Sequence, residues 1–217
     1  MKLVILGASG GCGRLLVAQA VARGHQVTAV ARPAAAIDAP AAVRLLRGDL
    51  FDLEFLTAAV RGQDAVLSAL GLRLPGLSPF ARAEVPDLLS RSSPLLVQAM
   101  RQAGVSRLLA ISAGGVGDSY ARMPGVFKLF IKLTALRRAY VELEAMEQIF
   151  FASGLDVCCP RPTGLTDDPA TGRVVVAERL RGRATIPRAD VAAWMLDQVE
   201  RPAFTERAPL LTVTGAA

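Results

Sequence analysis

Three glycines spaced Gly7-x-x-Gly10-x-x-Gly13 stand directly behind the apolar run Lys2–Leu6. Directly after them comes a stretch carrying Leu15, Leu16, Ala18, Ala20 and Val21, which stops at Gly24. Few folds need that arrangement. The apolar run reads as a buried strand, and Gly24 is the kind of residue that ends a helix in the left-handed conformation. Gln26–Ala31 is a second strand-like run, so the first thirty residues or so make one β-α-β unit. In such a unit the first glycine permits a tight turn, the second lets an anionic group approach the backbone, and the third lets helix and sheet close up. The N–H groups of the first helical turn have no intrahelical partner and sit at the positive end of the helix dipole. A pyrophosphate fits that place. Gly7, Ser9, Gly10, Gly11, Cys12 and Gly13 are therefore the candidate cradle of a dinucleotide. A thiol near a helix N-terminus can have a lowered pKa, but filling the turn is the role expected of Cys12.

The alternation continues. Residues 43–46, 65–70, 107–112, 155–159 and 210–214 read as strands. Asp52 is placed to cap a helix running to Arg61, and Ser93 with Pro94 behind it reads as the N-cap and first turn of another that ends before Gly104. A helix over 140–152 stops at Ser153-Gly154, and Asp190 is expected to cap a last one over 191–200. Strands alternating with helices imply a parallel sheet covered on both faces. Right-handed crossovers make 3-2-1-4-5-6 the expected strand order. The fold class is thus α/β, a doubly wound Rossmann sheet in three layers, as a single domain over all 217 residues. Residues 33–42 read as a surface loop. Residues 72–92 and 114–138 break the rhythm, each behind the carboxyl end of a strand, where open α/β sheets bind ligands. The segment 114–138, with 164–188, is the candidate lid on the substrate side.

The end of the second strand bears on which coenzyme is held. A site for NAD usually places an acid there to take the ribose 2′-hydroxyl. Here the strand ends Val30-Ala31-Arg32, and no acid follows before Asp38. Arg32 suits a 2′-phosphate, which a guanidinium grips through two N–H groups. The cofactor expected is NADP(H), with Arg14 as a possible assistant.

Net charge is +6, and of 25 basic residues only Lys2, Lys128 and Lys132 are lysines, so 22 are arginines spread along the chain. Compositional bias explains this spread; a basic face for anionic partners is the alternative. No basic run with interleaved aromatics occurs, and aromatic residues make up only 5 %, so nucleic acid is not an expected partner. No apolar run approaches the roughly 18 residues of a membrane span, and the start does not resemble a signal peptide, so a cytoplasmic protein is expected. Three cysteines, an odd number, imply reduced thiols. Cys158 and Cys159 are adjacent in a strand and would point to opposite faces, which suits packing and not a metal. The run from Val126 to Leu133 mixes phenylalanine, leucine and lysine. A substrate lid or dimer contact is its first reading and a bilayer surface its second. A small-molecule substrate and a monomer or homodimer are expected.

Several landmarks together resemble the atypical short-chain dehydrogenase/reductase superfamily. The likeness is to small NAD(P)H-binding proteins of the flavin reductase/biliverdin-IXβ reductase and NmrA-like type. They are the glycine loop, Gly48-Asp49-Leu50-Phe51-Asp52, Ile111-Ser112-Ala113-Gly114, Ser153-Gly154-Leu155-Asp156 leading to Arg161-Pro162, and Ile186-Pro187-Arg188-Ala189-Asp190-Val191-Ala192. The resemblance implies that Asp49 and Leu50 border the adenine, that Ala69, Leu70 and Gly71 line the cofactor path, and that Ser112 sits beside the nicotinamide as the candidate catalytic residue. It also implies that Pro160, Pro162 and Thr163 close over the nicotinamide ribose. Asp49 can equally be a turn residue, and Ser112 a strand-end hydrogen bond.

The chain also departs from the pattern. The superfamily's usual Tyr-x-x-x-Lys pair is absent: Tyr120 is followed four residues on by Pro124, and Tyr140 by Glu144, which would raise a phenol pKa. Flavin-reductase-like members carry a histidine near the Arg-Pro segment. Gly164 stands nearest that position, and the only histidine, His25, lies in the turn before the second strand. Reducing an isolated ketone needs a proton for the nascent alkoxide, whereas a conjugated acceptor spreads the charge. The function expected is therefore an NADPH-dependent oxidoreductase acting on a flavin or quinone, with Ser112 orienting the acceptor. The alternatives are a non-catalytic NADP(H)-binding redox sensor or assembly factor and, more distantly, an epimerase-like enzyme.

Overall fold

The computed structural model describes residues 1–178 and 184–213. Its central sheet holds β1 (Lys2–Leu6), β2 (Gln26–Ala31), β3 (Arg44–Arg47), β4 (Ala65–Ser68), β5 (Arg107–Ala110) and β6 (Asp156–Cys158), in the order β3-β2-β1-β4-β5-β6. Every neighbouring pair in it is parallel. This is the doubly wound Rossmann order, and it puts the carboxyl ends of β1 and β4 on either side of the crevice where the winding reverses.

The strands are nearly continuous apolar runs because both faces are covered. Alternation then divides the core. Leu3 and Ile5 of β1 pack toward α1 (Gly11–Ala22) and α6 (Arg188–Val199). Val4 and Leu6 pack toward α2 (Leu53–Val60), α3 (Leu88–Ala103) and α5 (Leu136–Phe151). Cys158 and Cys159 obey the same rule: the first joins the α1/α6 core and the second the α2/α3/α5 core. Phe150 and Met146 of α5 are fully buried, each stabilising the fold by about 2–3 kcal/mol through area removed from water.

Behind β5 the chain makes a 3-10 turn over Gly117–Arg122 and a short helix α4 (Gly125–Leu133). Among the described residues five short strands follow β6. β7 (Arg161–Pro162) and β9 (Val174–Val176) flank β11 (Leu210–Val213), while β8 (Gly164–Thr166) pairs with β10 (Thr185–Pro187). The second part of the expected lid includes residues 179–183, and the expected last strand includes Thr214; these lie outside the described residues.

Several element boundaries depart from expectation for physical reasons. Helix α3 begins at Leu88, and Pro94 lies inside it instead of opening it. Its first N–H groups are satisfied by a distant side chain, since Leu89 and Ser90 both donate to Glu142 Oε2 of α5, at 3.0 and 2.9 Å. Asp190 does not cap α6, which starts at Arg188. Its buried carboxylate accepts from the N–H groups of Thr171 (3.0 Å) and Gly172 (3.0 Å) and from the Thr171 hydroxyl (2.6 Å). Helix α5 starts at Leu136, ahead of the expected Tyr140. The ladders of β4 and β5 end at Ser68 and Ala110, although Ala69 N–H still donates to Leu6 O (2.9 Å) and Ile111 N–H to Ser68 O (2.9 Å). Asp52 does cap α2, accepting from Glu54 (2.9 Å) and Phe55 (3.1 Å).

Candidate functional site

The glycine loop is built as its spacing predicts. Gly7 has φ +75°, and a Cβ on it would lie 2.8 Å from Ala69 O. A Cβ on Gly13 would lie 2.1 Å from Gly7 O, so only glycine lets α1 approach the strand end this closely. Gly10 differs: it is the N-cap in an extended conformation, and a Cβ there would press on Gly7 O at 3.3 Å but meet nothing else within 4 Å. Space therefore stays open over Gly10. It has no side chain to cap the helix, so the first-turn N–H groups of Gly11, Cys12 and Gly13 are left for a ligand. Cys12 is buried, and burial pushes its thiol up to about 11, against the lowering that a helix N-terminus can bring.

Arg188, at the start of α6, joins the site although its sequence position gives no sign of it. Its side chain lies against Gly11, where a Cβ would be 2.9 Å from its Cδ, and its Nη1 donates to Asp167 Oδ1 at 2.8 Å. It brings a second cation to the loop beside Arg14, whose Nη1 donates to Ser9 O at 3.2 Å. Both arginines border an open cleft of about 600 Å³ along the outer side of α1. Only tertiary structure brings residue 188 to residue 11.

Arg32 stands just past β2 and is half exposed, with its Nη1 donating to Glu84 Oε2 at 2.8 Å. That bond holds the Glu84 carboxyl below its ordinary 4.5. The turn behind Arg32 is clasped by Arg47 Nη1, which donates to the carbonyls of Arg32 (3.4 Å), Pro33 (3.1 Å) and Ala35 (2.7 Å). Asp49 acts as a turn residue: its Oδ1 accepts from Phe51 N–H at 3.0 Å. Leu50 is buried with the α2/α3/α5 core. Ala69, Leu70 and Gly71 follow β4 beside Gly7, and a Cβ on Gly71 would meet nothing within 4 Å.

The structure brings Ser112 and the Pro160–Thr163 stretch together through the backbone. Ser112 N–H donates to Pro160 O and Gly114 N–H to Pro162 O, each at 2.8 Å, while Thr163 N–H donates to Leu211 O at 2.9 Å. The Thr163 hydroxyl meets Thr212 Oγ1 at 3.4 Å. Ser112 Oγ is different, being buried without a hydrogen-bond partner among the described residues. Such an atom costs about 1–3 kcal/mol unless something satisfies it, and a polar group that reached it would do so. With the small Gly10 and the uncapped first-turn N–H groups, the loop residues fit the pyrophosphate of a dinucleotide.

Tyr140 is no proton donor of the usual kind. Its hydroxyl donates to Gly114 O at 2.8 Å, and burial pushes it up to about 12. The direction is the one expected from Glu144, but the cause is burial. His25 is far from the site, with its Nε2 2.8 Å from Glu200 Oε1.

A buried ion cluster fixes this half of the site. Arg161 Nε and Nη2 donate to the two oxygens of Glu147 at 2.9 and 2.6 Å, and Nη1 donates to Asp118 at 2.5 Å. The side chains of Arg161 and Glu147 are each only 4 % exposed. Burial disfavours the Arg161 charge, but its carboxylate partners outweigh that and raise its pKa. The cluster ties the 3-10 turn, α5 and β7 together around Ser112 and Gly114.

Known proteins fit this geometry. A family model described as NAD(P)H-binding matches residues 7–202. An uncharacterized chloroplastic protein of Arabidopsis thaliana is 30 % identical over 182 residues, covering 81 % of this chain and 63 % of its own length. The anaerobillin reductase of Escherichia coli O157:H7 superposes with a TM-score of 0.78 at 24 % identity, covering 100 % of this chain and 99 % of that one. A proposed NADH-flavin reductase from Streptococcus pneumoniae does so with a TM-score of 0.71 at 23 % identity, covering 99 % and 100 %. With its glycine loop, doubly wound sheet and matched residues, the chain belongs to the NAD(P)H-binding family, a Rossmann family of the atypical short-chain dehydrogenase/reductase type.

Proposed function

We propose that the protein is an NADPH-dependent oxidoreductase that passes hydride to a conjugated acceptor such as a flavin or a quinone. The observation that carries this reading is Ser112 Oγ, buried behind the carboxyl end of β5 with no hydrogen-bond partner among the described residues. It donates a hydrogen bond that orients the acceptor. Reduced nicotinamide, when bound, supplies the hydride. Gly11, Cys12 and Gly13 hold the pyrophosphate through their N–H groups, and Arg32 leaves Glu84 to grip the 2′-phosphate. Pro160, Pro162 and Thr163 close over the ribose, Asp49 and Leu50 border the adenine, and Ala69, Leu70 and Gly71 line the path between. The inner side of 114–138 covers the acceptor. Tyr140 keeps its proton on Gly114 O, so an isolated ketone finds no acid, whereas a conjugated acceptor takes its proton from solvent. The names of the two solved neighbours, reductases of anaerobillin and of flavin, agree with such an acceptor. The three free cysteines agree with a cytoplasmic setting.

The test is NADPH oxidation with flavin mononucleotide, a soluble quinone and a simple ketone in parallel. Turnover is expected with the first two and not with the third. Ser112→Ala should lower kcat by about a hundredfold, the usual cost of losing one such donor, with NADPH affinity nearly kept. Tight NADPH binding without turnover on any acceptor would leave the second reading, a non-catalytic NADP(H)-binding sensor or assembly factor, which the occupied Tyr140 hydroxyl favours.

A further inference from the structure

Among the described residues nine large apolar side chains are exposed, and seven of them fall within one neighbourhood; only Met1 and Val176 lie elsewhere. Four are Val126, Leu129, Phe130 and Leu133, at positions i, i+3, i+4 and i+7 of α4, so they form one stripe along the helix. Val126 is 79 % exposed and Leu133 is 62 % exposed. Leu77 and Phe80 join them from the loop behind β4. Ala135 N–H donates to Leu77 O (3.3 Å), and Arg138 Nη1 donates to Ala81 O (3.4 Å), which holds this loop against the junction of α4 and α5. Val141 extends the patch one turn along α5.

Charge accompanies the patch. From Ser119 to Val141 the chain carries five cations, Arg122, Lys128, Lys132, Arg137 and Arg138, and no acid. Two of its three lysines are here. Both acids that bracket this stretch are engaged: Asp118 by Arg161 and by Arg122, itself one of the five cations, and Glu142 by the N–H groups of α3. Lys128 Nζ is held at the rim, 5.2 Å from the centre of the Tyr120 ring.

We propose that the outer face of α4 docks the protein on an anionic lipid bilayer, with the helix lying flat at headgroup depth. The opposite side of α4 is already used, because Ile131 is buried and Phe127 packs on the cluster of Met123, Ala177 and Leu210. Closing the site therefore cannot account for the outward stripe. A second copy is a poor occupant, since a two-fold pairing would set these cations against the same cations. A surface of phosphate headgroups over acyl chains answers both halves of the patch at once, taking the lysines and arginines in the headgroups and the leucines and phenylalanines below them. No helix among the described residues is long and apolar enough to cross a membrane.

The experiment is co-sedimentation of the full chain with extruded phosphatidylcholine vesicles, with and without about 30 mol % phosphatidylglycerol. The protein should pellet with the anionic vesicles only, and about 0.5 M NaCl should release it. Lys132→Gln should weaken the partition about fivefold, and adding Arg137→Gln should weaken it about fivefold again. The double variant Leu129→Glu, Leu133→Glu should stay in the supernatant with its circular dichroism unchanged. Absence of pelleting, or equal pelleting with neutral vesicles, overturns the proposal. So does a dimer in sedimentation velocity that the leucine variants dissociate, which would give the face to a second copy.

Discussion

The two ends of the candidate site are held together by different means. The nucleotide end is made of backbone: a left-handed Gly7, a Gly13 pressed on Gly7 O, and a helix start whose N–H groups need no side chain. The Ser112 end is assembled from distant elements, by backbone bonds and by a buried side-chain ion cluster. Ser112 rests on Pro160, and Arg161 reaches Glu147 and Asp118, 14 and 43 residues away. A backbone site tolerates change around it, provided the glycines stay. A site clamped by buried charge is sensitive to each partner, because a lone charge cannot remain where the pair was.

That contrast can be broken from either end. The largest effect expected is on stability. Glu147→Gln leaves Arg161 buried without its main partner and should cost about 3–5 kcal/mol in urea unfolding. Asp118→Asn should cost far less, since that side chain is 64 % exposed. Acid probes the same clamp. The Arg161 hydrogen bond, working against partial burial, holds the Asp118 carboxyl below its ordinary 3.8. Its contribution is therefore complete above that value and fades as the pH falls through the lower folded one. At the other end, Gly10→Val should cost far less stability than Glu147→Gln, only the tight contact with Gly7 O, and weaken NADPH by a hundredfold or more in titration calorimetry, because the new side chain takes the pyrophosphate's place. A stability loss as large as that of Glu147→Gln would erase the distinction between the two ends. Next in size, Arg32→Ala should weaken NADPH by roughly 10- to 100-fold and NADH hardly at all, the worth of one charge-assisted contact. Equal losses would remove the 2′-phosphate from Arg32. The smallest effect is expected from Glu84→Gln, which frees Arg32 and should tighten NADPH a few-fold; unchanged affinity would mean that the ion pair does not compete.

Legibility in the sequence follows the same division. The glycine spacing, the alternation of strands and helices, and the Asp52 cap are local patterns with local causes, and each stands where the residues place it. The opposed facing of Cys158 and Cys159 follows from the period of two in a strand. Local reading fails where a tertiary partner decides. Ser93-Pro94 looks like a helix start, but Glu142 caps α3 six residues earlier than Pro94. Asp190 looks like a cap, but it anchors Thr171 and Gly172. Cys12 and Tyr140 have pKa values set by burial, which neighbouring residues in the chain do not reveal. Arg188 touches the glycine loop from 177 positions further along the chain, and Glu84 meets Arg32 from 52. No spacing rule connects those residues.

The buried cysteines have a practical consequence at the bench. Cys12 is pushed up to about 11, Cys158 to about 12, and Cys159 well above its ordinary value, all by burial. Near neutral pH all three stay protonated thiols in the folded state. Towards maleimides and iodoacetamides the native protein should be almost silent. A cysteine introduced on the outer face of α4 would then be the one that reacts, and a fluorophore placed there could report on that surface with the natural thiols left in place.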